Sequence, residues 1–212
     1  MTEFEIERLE AGDKVVAGVD EAGRGPLAGP VVAAAVSFPS EWLKGSMPDA
    51  LAGLNDSKQL TEKKRETYFE ALLGFEEIDR VIIEVDAREI DEINILQATY
   101  LAMTRSVEGL KTPPDHVLID GNRIPPQMKL SAQAIVKGDS RSVSIAAASI
   151  LAKVHRDHLM MAFDEQYAGY GFAGHKGYGT KAHLKAIEEL GPCPIHRMSF
   201  APIRQTQLDL FN

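Results

Sequence analysis

The chain has 212 residues, 44% of them hydrophobic, with a single cysteine and a formal net charge of −8. This length and apolar content suit one globular domain with ample chain to bury a core. One cysteine excludes an internal disulfide framework, no apolar run approaches the roughly 20 residues of a membrane helix, and the acidic balance argues against a generic nucleic-acid coat.

The sum hides an asymmetry. Residues 1–110 carry 11 Lys and Arg against 22 Asp and Glu, whereas residues 111–212 carry 12 against 9 and hold all 6 histidines. A local basic face on an acidic protein can still grip a polyanion, with bound metal cancelling acid in a site. Cys193 fits a reducing cytoplasm and reads as a small half-buried thiol. The acidic start, residues 1–7, lacks the basic stretch and apolar core of a signal peptide.

In chain order, the apolar runs 15–20 and 31–38 predict two strands joined by a glycine-rich turn, a plausible hairpin. Thr61 predicts the cap of a helix running to about residue 73, and residues 80–85 predict a third strand. Residues 87–110 read as one helix with apolar residues near helical spacing, ended by Pro113-Pro114. Residues 116–119 and 132–136 predict two further strands. Ser140 or Ser142 then starts a long alanine-rich helix to about residue 167. A glycine-rich loop over 169–179 and a helix over 180–190 complete the chain before a tail at 205–212. Strands first, then strands alternating with helices, predict an α/β fold with a mixed sheet. The expected organisation is a core of residues 1–168, an extension of the same domain at 169–204, and a flexible tail at 205–212.

Three strand or turn ends carry acid beside glycine or a turn: Asp20-Glu21, Asp120-Gly121 and Gly138-Asp139. Strand ends of one sheet converge in space, so these carboxylates can share a site. Carboxylates with no interposed Cys or His pair suit Mg²⁺ or Mn²⁺ rather than zinc. Two such ions about 3.5–4 Å apart hold both the attacking water and the leaving oxygen of an in-line phosphoryl displacement. Taken singly each acid could be a turn or helix cap, Asp139 above all. The turn Gly23-Arg24-Gly25 removes side chains where a ligand's backbone can come close and adds one cation.

Other patterns carry less. The run 169–174 fits G-x-G-x-x-G but follows a helix where the dinucleotide fingerprint follows a strand. His155-Arg156-Asp157 lies mid-helix without the remaining kinase motifs. His155 and His158, one turn apart, fit a solvated polar face better than a metal site.

Residues 19–29 (Val-Asp-Glu-Ala-Gly-Arg-Gly-Pro-Leu-Ala-Gly), Asn55-Asp56-Ser57-Lys58, Leu118-Ile119-Asp120-Gly121-Asn122 and Val136-Lys137-Gly138-Asp139-Ser140 together resemble bacterial ribonuclease HII. So do residues 147–154 with Arg156-Asp157, His175-Lys176-Gly177-Tyr178-Gly179-Thr180, and His196-Arg197-Met198-Ser199-Phe200. The blocks span about 15–203. The resemblance implies a ribonuclease H-like mixed sheet flanked by helices, with a helical C-terminal extension. It implies an endoribonuclease that cuts RNA in RNA–DNA hybrids and 5′ of single ribonucleotides in duplex DNA, leaving 5′-phosphate and 3′-hydroxyl ends by two-metal hydrolysis. Such an enzyme removes misincorporated ribonucleotides and RNA primers in DNA replication and repair. By motif, Asp20, Glu21, Asp120 and Asp139 are the implied metal-binding catalytic carboxylates, with two Mn²⁺ or Mg²⁺ ions. Gly23, Arg24 and Gly25 resemble the segment that reads the ribose 2′-hydroxyl, the one group separating RNA from DNA. Tyr178 resembles a tyrosine that stacks on the following deoxyribose, with Tyr170 as a nearby competitor, and Lys58 a phosphate contact or a surface lysine. Met198 departs from the family pattern, where a second arginine is common. A cytoplasmic monomer without membrane attachment is expected.

At the end of the chain, Gln207-Leu208-Asp209-Leu210-Phe211 resembles the peptide by which bacterial replication and repair proteins dock on the sliding clamp. Two leucines and a phenylalanine at a chain end suit insertion of apolar anchors into a groove; the same residues could instead pack back on the domain. A glycoside hydrolase with paired carboxylates is the rival enzyme class, and it would need no metal.

Overall fold

The computed structural model describes residues 1–204, apart from Asp56 and the side chain of Lys58; residues 205–212 lie outside the described residues, and with them the expected tail motif. Helix α1 (Glu3–Glu10) leads into strand β1 (Val16–Ala22), which turns through glycines into β2 (Val31–Ser37). After α2 (Ser40–Lys44), α3 (Glu62–Gly74) and β3 (Asp79–Val85), helices α4 (Ala87–Ile93) and α5 (Ile95–Glu108) precede β4 (His116–Asp120) and β5 (Ser131–Ile135). The long α6 (Val143–Gln166), the single turn α7 (Phe172–His175) and α8 (Lys181–Leu190) complete the order.

The sheet order is β3-β2-β1-β4-β5. The predicted hairpin is present: β1 pairs antiparallel with β2, and β2 with β3. Strands β1, β4 and β5 run parallel, so the sheet is mixed as expected. Side chains alternate across a strand, and both faces are apolar. Val16, Val32, Ala34 and Leu118 pack with α3 and α6 on one face; Ala17, Val19, Ala33 and Ile119 pack with α5 on the other. Buried on both faces, the inner strands β1, β2 and β4 read as apolar runs rather than alternating ones. Helix α6 lies very close to β1, because a Cβ at Gly18 would fall 2.2 Å from the Ser144 backbone. Only glycine admits that approach.

Two expectations need correction. The single helix over 87–110 is two helices, broken at Asn94, which adopts φ 67°. Its Oδ1 accepts the N–H groups of Leu96 and Gln97 at 3.0 and 3.2 Å, so a new helix starts there. Asparagine tolerates positive φ and caps well, which overrides the continuous apolar period. The N-terminal segment, given no element from sequence, forms α1. Its Glu5 is fully buried and accepts hydrogen bonds from Ser142 Oγ and the Ser144 N–H, at the first turn of α6. Between the two possible starts of α6, Ser142 is the cap, accepting from the Ile145 N–H. Asp139 is therefore not that helix's cap.

Candidate active site

Strands β1 and β4 are parallel neighbours with Val19 opposite Ile119, so Asp20 and Asp120 come off the same sheet edge one residue later. Asp20 follows Val16 and Gly18 on the face toward α6, while Glu21 follows Ala17 and Val19 toward α5. Asp139 arrives in the short helical turn Gly138–Ser140 after β5. One oxygen from each of Asp20, Asp120 and Asp139 lies within 4.8 Å of the others. Asp20 and Asp139 are buried and Asp120 is half-buried.

Glu21 stands outside this triad. Its carboxylate faces Arg24 Nη1 at 3.3 Å. It lines both of two adjoining clefts, one of ≈ 380 Å³ with Arg24, Asp120, Asn122 and Arg123, the other of ≈ 300 Å³ with Asp20, Gly23, Ser149 and Tyr178. Glu21 thus belongs to both clefts, with Asp120 lining the first and Asp20 the second.

Packing carboxylates together in a dry site disfavours their charge. Burial first, then the charges of Glu21 and Asp120, push the Asp20 carboxyl well above its ordinary range, against hydrogen bonds from Ser149 and the Glu21 N–H. Burial likewise raises Glu21, with Arg24 opposing. A cluster of buried acids bearing only hard oxygen donors fits a divalent cation, which would supply the positive charge the site needs.

Beside the acids, Gly23 is buried while Arg24 and Gly25 are exposed. Tyr178 is 50% exposed and faces Gly25, with Tyr178 Cε1 3.6 Å from where a Gly25 Cβ would stand. Its competitor Tyr170 is 8% exposed, its hydroxyl donating to the Gly191 carbonyl at 2.7 Å. Of the two, Tyr178 is the exposed ring and Tyr170 the packed one. The side chain of Lys58 lies outside the described residues, but neighbouring Ser57 lines the second cleft. His155 and His158 pair with Glu84 and Glu66 at 2.7 and 3.0 Å across the surface and bring together no metal site. Cys193 is half-buried with its thiol pKa raised by burial, as expected of a packed thiol.

Several contributors escaped the sequence reading. Ser149, the one hydroxyl in the buried run Ala146–Ile150, holds Asp20 and meets Ser57 Oγ at 2.8 Å; a lone polar residue in an alanine stripe was the available signal. Arg156 and Arg197 are 2% and 0% exposed. In sequence both read as ordinary charged residues within larger motifs.

The family model for ribonuclease HII matches residues 17–203. The chain is 53% identical to a ribonuclease HII of Endomicrobium trichonymphae, covering 92% of this chain and 91% of that one. It is 49% identical to a ribonuclease HII of Listeria monocytogenes, covering 98% and 76%. Among solved structures it resembles ribonuclease H2 from Pyrococcus horikoshii, with TM-score 0.75 and 26% identity over 93% of this chain and 99% of that one. It also resembles RNase HII from the PCNA:RNase HII complex of Archaeoglobus fulgidus, with TM-score 0.67 and 25% identity over 88% and 95%. With that match over most of its length, on a ribonuclease H-type sheet, the chain belongs to the ribonuclease HII family and is a ribonuclease H hydrolase.

Proposed function

We propose that this enzyme cuts RNA in RNA–DNA hybrids and 5′ of single ribonucleotides embedded in duplex DNA, leaving 5′-phosphate and 3′-hydroxyl ends. The observation that carries this is the Asp20, Asp120 and Asp139 triad opening beside an exposed glycine turn. Asp20, Asp120 and Asp139, joined by Glu21, would hold Mg²⁺ or Mn²⁺. Two such ions would activate water and stabilise the departing 3′ oxygen. The chain's own residues do the rest. The bare backbone at Gly23 and Gly25 approaches the ribose, Arg24 supplies charge toward phosphate, and the exposed Tyr178 ring offers a face to the next sugar. By its motif, Lys58 adds a phosphate contact.

In this reading, residues 1–168 are the catalytic core, residues 169–204 an extension that carries Tyr178, and the protein works in the cytoplasm as a monomer on misincorporated ribonucleotides and RNA primers. The tail 207–211 docks on the sliding clamp; the Archaeoglobus relative, solved with PCNA, supports clamp association within the family.

The test is cleavage of a labelled DNA duplex carrying one ribonucleotide, with Mg²⁺, with Mn²⁺ and with chelator. A metal-dependent cut 5′ of the ribonucleotide is expected. Cleavage of long hybrids alone would overturn the single-ribonucleotide activity, and chelator-resistant cleavage would overturn the metal chemistry.

A further inference from the structure

Arg156 and Arg197 bury their guanidinium groups behind the glycine turn, and among the described residues neither has a salt-bridge partner. A buried cation without a carboxylate is costly unless its donors are otherwise satisfied. Here every hydrogen-bond partner is a backbone carbonyl, and the Arg197 guanidinium also stands 5.1 Å from the centre of the Phe200 ring. Arg197 donates from Nε to Gly29, from Nη1 to Arg24 and from Nη2 to Gly23, at 3.0, 2.9 and 2.5 Å. Arg156 donates from Nε to Pro30, from Nη1 to Lys176 and from Nη2 to Ala28, each at 3.0 Å. Burial lowers both pKa values, yet at about 10 for Arg156 and about 9 for Arg197 both groups stay charged at neutral pH.

A trans peptide is planar, with its N–H opposed to its C=O. When Arg197 draws in the carbonyls of Gly23 and Arg24, the N–H groups of the same two peptides, those of Arg24 and Gly25, point the opposite way, away from Arg197. Arg156 adds a second constraint, because it ties the 28–30 backbone to Lys176, two residues before Tyr178. The Leu27 N–H donates to the Gly177 carbonyl at 2.8 Å and the Gly29 N–H to Ile195 at 2.8 Å, so loop, tyrosine turn and C-terminal segment form one unit. Gly23 is glycine for the same reason, since a Cβ there would stand 2.1 Å from Arg156 Nε.

We infer that Arg156 and Arg197 are positioning residues for ribose selection, a carbonyl clamp that aims the amides of Arg24 and Gly25 and sets their distance from Tyr178. The inference rests on the proposed reading of residues 23–25 as the ribose-sensing turn. Lysine keeps the charge at either position but lacks the planar fork needed to hold three carbonyls.

The experiment measures Arg197→Lys and Arg156→Lys against the unaltered enzyme with Mg²⁺. The readouts are KM for a duplex with one ribonucleotide and Ki for the all-DNA duplex of the same sequence as competitor. Hydrogen exchange at the Leu27 and Gly29 amides reports the loop directly. The ratio of Ki to KM is expected to fall about tenfold in Arg197→Lys, with faster loop exchange and a smaller change in kcat. A purely structural role would weaken both duplexes together and leave the ratio unchanged, which would overturn the clamp. If Arg197→Lys does not fold, Arg156→Lys gives the same ratio through the Tyr178 side. An unaltered enzyme with no preference for the ribonucleotide duplex would instead overturn the functional reading beneath it.

Discussion

Asp120 Oδ1 accepts the backbone N–H of Gly138 at 2.6 Å. The tip of β4 thereby holds the turn that presents Asp139, and one carboxylate places another. A Cβ at Gly138 would stand 2.6 Å from Ile145 Cδ1 and 3.2 Å from Asp120 Oδ1. Gly138→Ala is therefore expected to push the turn away from β4 and lower kcat at least tenfold, at a stability cost of about 1–3 kcal/mol. Steady-state kinetics with a denaturation curve check both; an alanine variant with ordinary kcat would separate Asp139 from this contact.

Asp20→Asn should split activity from stability. The Asp20 carboxyl is raised by burial and by its acidic neighbours, so without metal its ionisation opposes folding. A group raised in the folded state stabilises below its ordinary range, and that contribution is lost as pH climbs through the folded value. Removing the charge should raise the Tm of metal-free protein at pH 7; a gain on the order of 1 kcal/mol gives about 2–4 °C. Cleavage should fall on the order of 100-fold or more, the scale of losing a preorganised electrostatic contact. A melt in chelator and a cleavage assay in Mg²⁺ test the two halves separately.

Acid should loosen the segment from α7 through residue 197 before it loosens the sheet. His183 Nδ1 contacts the Tyr178 carbonyl at 3.0 Å, His183 Nε2 meets His196 Nε2 at 3.0 Å, and the Cys193 N–H donates to His196 Nδ1 at 2.9 Å. This chain of partners requires neutral imidazoles, with His183 protonated on Nδ1 and His196 on Nε2. Burial first, then His183, lowers His196 to about 4, and burial lowers His183. A depressed histidine stabilises the fold above its unfolded value of about 6.5 and loses that contribution as pH falls toward the folded one. Urea midpoints should decline from about pH 6.5 toward pH 4, and His196→Asn should flatten that decline. An equally steep decline in the variant would assign the acid sensitivity to other groups.

Removing residues 207–212 should abolish capture by a bacterial sliding clamp in a pull-down and leave the cleavage rate on short duplexes unchanged. Retained capture would sink the docking role of Gln207, Leu208, Asp209, Leu210 and Phe211.

Much of this was legible in the chain itself. Apolar runs ending in acid and glycine marked β1, β4 and the turn at 138–140, because a strand buried on both faces must be apolar until it reaches the sheet edge. Caps at Thr61, Ser142 and Thr180 announced their helices through side chains that satisfy first-turn N–H groups. Those local rules determined which acids could converge and which motif blocks to compare. Tertiary structure alone decided the rest. It gathered Asp20, Asp120 and Asp139 into one cluster and set Glu21 against Arg24 instead. It broke the helix at Asn94, where a side-chain cap outweighs apolar periodicity. It made Glu5, Arg156 and Arg197 interior residues. Their partners are up to 174 positions distant in sequence. A buried charge is tolerated only where the whole fold delivers its hydrogen-bond partners, and no local pattern reports that delivery.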